Sequence, residues 1–291
     1  MYPLDLINLQ SLMDISIGSP KVHVGIIDGP VDIRHPAFQN SKIKSSKLFS
    51  SIECNNTLSI ACIHGTFITG ILCSRRDLLV RGICPDCNII LHPIFKEMIP
   101  EKTNLKLSRI TPKELANAII ETIDVGAKVI NLSLELKISS LIPDPELLES
   151  YDYARKNDVL IIAAAGNHHS IGNISLINHP WIIPVAACDR NGKISTLSNF
   201  GPSIGIGGIM APGEHIISAS PGGKYIEMSG TSVAAPFVTG TIALLWSIFP
   251  SATAADIKYA LLYINSKRPR SIIPPLLNGQ VVLKRLQYII K

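Results

Sequence analysis

The chain has 291 residues, of which 46% are hydrophobic and 17% are charged. This composition excludes an intrinsically disordered protein, and the length suits one large α/β domain or two small ones. The formal net charge is +5, but the basic residues are scattered and their one tight cluster lies at residues 267–270. The sequence therefore lacks the basic stripe that is typical of a nucleic-acid-binding protein.

The N-terminal residues carry no basic region and no long apolar segment, so they do not form a secretory signal. Continuous apolar runs such as residues 159–165 are far shorter than the ~18 residues that cross a membrane. We therefore expect a cytoplasmic protein that does not associate with membranes. We also expect a monomer.

Five short apolar runs, rich in β-branched residues, predict strands that are covered on both faces, as in a parallel sheet. These runs lie at residues 22–28, 88–95, 127–133, 159–165 and 181–188. Helical segments lie between and after them, at residues 115–125, 143–156 and 251–265. The alternation predicts an α/β fold with a central, mostly parallel sheet between two layers of helices. No repeat or linker divides the chain, so we predict a single domain over residues 1–291, with its core at about 22–283.

The first of the helices has a clear start and end in the sequence. Thr111 and Glu114 have capping-box spacing, with Pro112 at the first helical position. Gly126 then provides a C-terminal stop.

Ser232 is the candidate nucleophile. It lies in the segment Ser-Gly-Thr-Ser-Val-Ala-Ala-Pro at residues 229–236, directly before an apolar helical run at residues 237–249. A serine at the start of a buried helix has backbone N–H groups and the positive end of the helix dipole nearby, and both stabilise a developing oxyanion. A serine hydroxyl is a weak nucleophile until a base removes its proton.

His64 is the candidate base, and Asp28 is the candidate acid that orients it. His64 opens a helix-like segment, and Gly65 and Gly70 allow close backbone approach there. Asp28 ends a predicted parallel strand, which is where α/β sheets place functional groups. Its role would be to fix the histidine tautomer and stabilise the imidazolium. Asn167 follows another buried strand, and its side-chain amide could donate a hydrogen bond to the oxyanion.

Each of these signals is weak alone, but the order Asp, His, Asn, Ser in matching local contexts resembles the subtilase family. Ser-Asn-Phe-Gly at 198–201, Ala-Pro-Gly at 211–213 and Leu-Asn-Gly at 277–279 also match that family's pattern. The resemblance implies a subtilisin-like fold. It also implies a serine endopeptidase that acts through an acyl-enzyme.

A closer resemblance is to the leader-removing proteases of cyanobactin biosynthesis. It rests on residues 27–36, 82–95 and 221–232, and above all on Asp28-Gly-Pro in place of the commoner Asp-Thr-Gly. This resemblance implies a substrate that is a ribosomally made, modified precursor peptide. Two alternatives stay open, a degradative protease of broad specificity and an inactive peptide-binding module.

The resemblance also implies a substrate-binding edge at Ser133, Leu134 and Glu135, where a peptide would add as a β-strand, and substrate contacts at Ala165 and Gly166. Glu135 and Leu136 replace two glycines of the family pattern. This change predicts a narrower or negatively charged specificity pocket, unless Glu135 is simply solvated. The segment after Asn167 also departs from the pattern, near residues 175–176.

Several other residues are interpreted as structural. Phe67 replaces a histidine of the family pattern and is expected to pack, and His168 and His169 are expected in an exposed loop, although they could contact substrate or a metal. The six cysteines are interpreted as free thiols because a large chain without an export signal rarely carries disulfides. Cys84 and Cys87 have CxxC spacing, for which a disulfide or zinc remains an alternative. We predict no cofactor and no metal site, since no loop is dense in carboxylates.

Overall fold

A seven-stranded parallel sheet organises the computed structural model, which describes residues 3–44, 52–97, 110–134, 144–171, 179–263 and 271–291. The strands lie in the order β2-β3-β1-β4-β5-β6-β7. They are β1 (His23–Asp28), β2 (Lys42–Lys44), β3 (Asn88–Pro93), β4 (Val129–Leu132), β5 (Leu160–Ala164), β6 (Ile182–Cys188) and β7 (Ile209–Pro212). Every neighbouring pair is parallel, so the carboxyl ends of the strands lie at one edge of the sheet.

The chain changes direction across the sheet at β1. β3 pairs with one side of β1 and β4 pairs with its other side. In open α/β sheets, ligands bind outside the carboxyl ends of the strands at such a switch point. Asp28 at the end of β1 and Ser133 just after β4 therefore lie where a functional site is expected.

Helices cover both faces of the sheet. They are α1 (Pro3–Leu6), α2 (Gln10–Ile15), α3 (Ile60–Cys73), α4 (Pro112–Asp124), α5 (Pro145–Lys156), α6 (Pro202–Gly207), α7 (Thr231–Ile248), α8 (Ala254–Leu262) and α9 (Gly279–Ile289), with a short 3-10 helix at Pro36–Phe38. Buried residues of α3, α7 and α8 form one core with Val24 and Val129. Those of α4 and α5 form a second core with Ile27 and Ile130. Alternate residues of each strand thus face opposite layers, as the continuous apolar runs predict.

Helix α7 is the central helix of the first layer. Within the part of the chain that the structure describes, it alone is long and apolar enough to cross a membrane, with a mean hydropathy of 1.5, and 83% of it is buried in the fold. That burial is what a core helix requires, because an apolar surface all round must be covered by neighbouring elements.

An antiparallel hairpin, β8 (Ile216–Ser220) and β9 (Lys224–Met228), leads into α7. It packs on α3, where Ser218 Oγ donates a 2.7 Å hydrogen bond to the carbonyl of Phe67. Phe67 itself is fully buried, as the packing role predicted for it requires.

The five predicted strands are all present, each starting or ending one or two residues inside its apolar run. The predicted helix at 251–265 begins at Ala254, because Thr253 caps it in a capping box with Asp256. The sequence patterns did not indicate β2, β7, the hairpin or α9. β2 has three residues and β7 ends in a proline, so neither carries the long β-branched run of a central strand.

The prediction of free thiols is wrong for one pair of cysteines. Cys54 and Cys62 form a disulfide, with their Cα atoms 5.5 Å apart. The turn before α3 brings the two residues together, and this separation lies within the range that a disulfide spans. The other four cysteines are free and buried: Cys73, Cys84, Cys87 and Cys188.

Candidate active site

Asp28 and His64 form a buried pair at the carboxyl edge of the sheet. Asp28 Oδ1 lies 2.7 Å from Nδ1 of His64, and the exposed fractions of the two residues are 1% and 6%. The backbone N–H of Gly29 donates a 2.6 Å hydrogen bond to the same carboxylate oxygen. Nδ1 of His64 is thereby assigned the proton that faces Asp28, which leaves Nε2 as the basic atom of a neutral ring.

The pair forms because β1 and α3 approach each other at two glycines. A Cβ added to Gly29 would lie 2.1 Å from the carbonyl oxygen of Ala61, and one added to Gly65 would lie 2.4 Å from the carbonyl oxygen of Gly29. Real Cβ contacts are never this short, so neither position has room for a side chain. The glycines that flank Asp28 and His64 in sequence thus set the distance between the two functional residues.

Two opposing influences act on the pKa of His64. Burial is the larger single influence and lowers the pKa, whereas attraction to the Asp28 carboxylate and the hydrogen bond to it raise the pKa. Together the two contributions of Asp28 prevail, so the pKa of His64 lies above its ordinary value. A raised pKa makes the ring a better proton acceptor.

Ser232 is the second residue of α7, at the positive end of a helix of 18 residues. The residue before the helix, Gly230, has a φ of +147°, a conformation that favours glycine. A Cβ at Gly230 would also lie 3.3 Å from the amide atoms of Asn167. This turn therefore brings the oxyanion candidate and the nucleophile candidate to the same helix end.

Asn167 is anchored to that helix end through its carbonyl oxygen. Oδ1 accepts hydrogen bonds from the backbone N–H of Thr231 at 2.8 Å and from its hydroxyl at 3.1 Å. The Thr231 hydroxyl oxygen in turn accepts a 3.0 Å bond from the N–H of Gly166. Because Oδ1 is fixed as an acceptor, Nδ2 is the atom of Asn167 that remains to donate to a ligand.

The end of β4 is joined to Ser232 by a buried chain of hydrogen bonds. Ser133 Oγ donates to the carbonyl of Ser232 at 3.0 Å and accepts from Asn131 Nδ2 at 2.6 Å. Asn131 Oδ1 accepts from the hydroxyl of Thr239, two turns along α7, at 2.9 Å. Sequence reasoning singled out Ser133 for substrate binding but did not assign roles to Asn131 and Thr239. These residues can only be recognised once β4 and α7 are seen to pack together.

Asn199 is another residue whose role the sequence did not reveal. Its Oδ1 accepts from the N–H groups of His168 and Ser170 at 3.0 and 3.1 Å, and its Nδ2 donates to the carbonyl of Ala165 at 3.0 Å. It thus holds the loop that carries Asn167. The one available signal was its position in the family-like segment at 198–201.

Of the remaining predicted site residues, the structure describes Leu134, Ala165 and Gly166. Leu134 and Ala165 are buried, and the N–H and carbonyl of Gly166 are bonded to Thr231 and Asn199 within the fold. Glu135, Leu136 and the departure at 175–176 lie outside the described residues. His168 and His169 are exposed, as predicted, and the ring of His169 meets Phe200 edge to face.

The model of the subtilase family matches residues 19–271 of the chain. A thermophilic serine proteinase from Bacillus sp. strain AK1 is 30% identical over 240 residues, which are 80% of this chain and 54% of that protein. Subtilisin DY from Bacillus licheniformis is 28% identical over 269 residues, which are 89% of each protein. The chain thus spans about half the length of the first relative and most of the second.

Two solved structures are similar over nearly their whole length. The prenylagaramide maturation protease PagA is 31% identical with a TM-score of 0.82, covering 96% of this chain and 98% of its own. The protease domain of PatA, in a mutant form, is 30% identical with a TM-score of 0.82, covering 93% and 97%. The family match and these likenesses agree with the α/β fold around a parallel sheet. The chain belongs to the subtilase family of serine proteases.

Proposed function

We propose that this chain is a selective processing endopeptidase that removes the leader from a ribosomally made, modified precursor peptide. The 2.7 Å contact between Asp28 and His64, beside the helix that carries Ser232 in its first turn, is the observation that supports the chemistry. The likeness to PagA and PatA over more than nine tenths of the chain supports the class of substrate. Such a protease meets its precursor in the cytoplasm.

In the proposed reaction, Ser232 Oγ attacks the scissile carbonyl carbon while His64 Nε2 accepts the hydroxyl proton. Asp28 holds the Nδ1 proton of His64 and stabilises the imidazolium that forms. The negative charge on the carbonyl oxygen is stabilised by Asn167 Nδ2 and by the N-terminal end of α7. His64 then protonates the leaving amine, which yields an acyl-enzyme on Ser232. Water, deprotonated by His64, hydrolyses that ester by the same steps in reverse order.

The second candidate is a degradative protease of broad specificity, which the likeness to subtilisin DY favours. The two functions differ in the number of sites cut. A processing enzyme cuts one motif, whereas a degradative enzyme cuts many unrelated sequences.

The test is incubation of the purified protein with a peptide library, followed by intact mass measurement, with Ser232→Ala as the matched control. We expect one dominant cut motif that is absent from the control reaction. Many unrelated cuts, or extensive digestion of casein, would contradict selective processing and support the degradative function. A serine-reactive phosphonate labels an active serine whatever the peptide specificity. Labelling without cleavage would therefore mean that the library lacks the substrate, and not that the mechanism is wrong. If neither cleavage nor labelling occurs in the parent protein, the proposed triad does not operate.

A further inference from the structure

Three side chains with metal-binding atoms meet beside the first turn of α3. They are Cys54, Cys62 and Glu97, whose ligand atoms all lie within 4.8 Å of one another. The two cysteines are joined as a disulfide, and Oε1 of Glu97 lies 3.1 Å from Sγ of Cys62. The same carboxylate oxygen accepts a 2.8 Å hydrogen bond from the backbone N–H of Asn55.

The position of Glu97 is informative because a disulfide sulfur carries no proton. A carboxylate gains no hydrogen bond from such a sulfur, whereas it accepts a hydrogen bond from a thiol and shares a cation with a thiolate. Two thiolates and one carboxylate are also a donor set that suits zinc. We propose that Cys54, Cys62 and Glu97 form a redox-gated site that binds Zn²⁺ or a similar thiophilic divalent ion when the disulfide is reduced.

Reduction of the disulfide requires a reductant, which an external dithiol supplies. The bond between Cys54 and Cys62 takes up two electrons and two protons, and the dithiol becomes its own disulfide. The two thiols then release their protons to solvent when the ion binds as a bis-thiolate. In the oxidised protein the two sulfurs are bonded to each other and neither is a thiolate, so the site cannot bind the ion.

Space for a fourth ligand adjoins Cys54. Zinc requires sulfur ligands at about 2.3 Å and an oxygen ligand at about 2.0 Å, so the two sulfurs must move apart from bonding distance. Cys54 lies in the loop before α3 and lines a polar cavity of about 310 Å³ with Glu53 and Asn55. Water from this cavity can complete a four-coordinate site.

The site is connected to the Asp28–His64 pair through two chain segments, one that ends at each cysteine. The N–H of Val31, three residues after Asp28, donates to the carbonyl of Ile52, and the N–H of Cys54 donates to the carbonyl of Val31. Cys62 lies two residues before His64 on α3. A bond or an ion between Cys54 and Cys62 thus closes a ring of chain segments that contains the 2.7 Å contact between Asp28 and His64. Metal binding at these three residues does not depend on which peptide the protein cleaves.

The experiment is titration of the reduced protein with Cd²⁺, after a phosphine reductant has replaced the dithiol. A thiolate-to-cadmium absorption band reports sulfur ligation and is blind to binding at His64. We expect one equivalent of Cd²⁺ to give the band, Zn²⁺ to displace it, and the oxidised protein to give none. Cys62→Ser should remove tight binding, and Glu97→Gln, which retains both cysteines, should weaken it at least about tenfold.

Matched controls use the other cysteines of the chain. Cys188→Ala and Cys87→Ser each remove one buried thiol elsewhere and should leave the band and its stoichiometry unchanged. Three results would overturn the site: no band in the reduced protein, an unchanged band in Glu97→Gln, or loss of the band in Cys87→Ser. If Cys62→Ser does not fold, Glu97→Gln and the comparison of oxidised with reduced protein still decide the question.

Discussion

The hydroxyl of Ser133 donates a 3.0 Å hydrogen bond to the backbone carbonyl of Ser232, 99 residues further along the chain. Ser133 follows β4 and Ser232 is the second residue of α7, so the bond fixes the helix that carries the proposed nucleophile against the sheet. The geometry of the site therefore rests on contacts between elements as much as on the reacting groups themselves.

Ser133→Ala should lower both stability and kcat. The substitution leaves the Asn131 amide and the Ser232 carbonyl without their buried partner, which costs about 1–3 kcal/mol in the free energy of unfolding. A small displacement of the reacting serine should also lower kcat by about tenfold, because attack depends steeply on distance and angle. Urea unfolding and peptide hydrolysis measure the two effects.

Ser150→Ala is the matched control for this prediction. Ser150 is also buried, and its hydroxyl donates a 2.7 Å bond to the carbonyl of Leu147 within α5. The Ser150→Ala variant should have a lower free energy of unfolding and an unchanged kcat. Equal kcat values in the two variants would show that Ser133 supports the fold and not the position of Ser232.

Asn167→Asp separates oxyanion binding from support of the helix end. An aspartate keeps the oxygen that accepts from Thr231 and adds a negative charge at a helix N-terminus, so stability should be retained. It lacks the amide donor, so kcat should fall by about 10² to 10³ or more, with a smaller change in KM. A parallel measurement on Asn167→Ala, which removes both functions, should show the same loss of kcat and a lower melting temperature. An Asn167→Asp variant with normal kcat would remove Asn167 from the mechanism.

The pH dependence of kcat/KM should follow His64. Since the general base must be neutral, activity should rise as pH rises through the pKa of His64, which lies above 6.5. In Asp28→Asn the charge that attracts the imidazolium and raises this pKa is lost and burial remains, so the acid limb should move to lower pH. The maximal rate should fall by about 10⁴ because the histidine is no longer held in the required tautomer. An acid limb that does not move would assign it to another group.

The same raised pKa has a consequence for stability. A histidine whose pKa is higher in the folded state than in the unfolded state stabilises the fold fully below the unfolded value. This contribution is lost as pH rises through the folded pKa. The difference in unfolding free energy between the parent protein and His64→Ala should therefore become less favourable to the parent as pH rises through that range. A difference that grows with pH would contradict the direction of the shift.

Gly65→Ala should separate the proposed base from the proposed acid. The new Cβ would meet the carbonyl oxygen of Gly29 at 2.4 Å, so α3 must move away from β1. We expect a loss of more than about 2 kcal/mol in unfolding free energy, as for other overpacked sites, and loss of activity. The measurement is chemical denaturation together with phosphonate labelling of Ser232.

Gly207→Ala is the control, because a Cβ added there would have no atom within 4 Å and the backbone needs no positive φ. It should leave both stability and labelling close to those of the parent. Normal labelling of a folded Gly65→Ala protein would mean that α3 can shift without opening the pair.

Much of the fold and of the candidate site could be predicted from local sequence. The five central strands carry apolar runs that can be recognised without knowledge of their partners. Asp28, His64, Asn167 and Ser232 are recognised together, by their order and local contexts. Helix α4 was predicted to within about three residues because Thr111 and Glu114 form the capping box that their spacing indicates. Such features are encoded within a few residues, where local geometry and side-chain chemistry act directly.

The tertiary structure decided what depends on residues far apart in the chain. One example is the hydrogen bond between Ser133 and Ser232. Others are the hydrogen bonds by which Asn199 fixes the loop of Asn167 and the cluster of Glu97 with Cys54 and Cys62. Each joins separate elements. No periodicity or short motif records such contacts, because they exist only when strand order and helix packing bring the elements together. The sequence determined which groups could react. The packing of α3 and α7 on the switch point of the sheet decided how those groups are held.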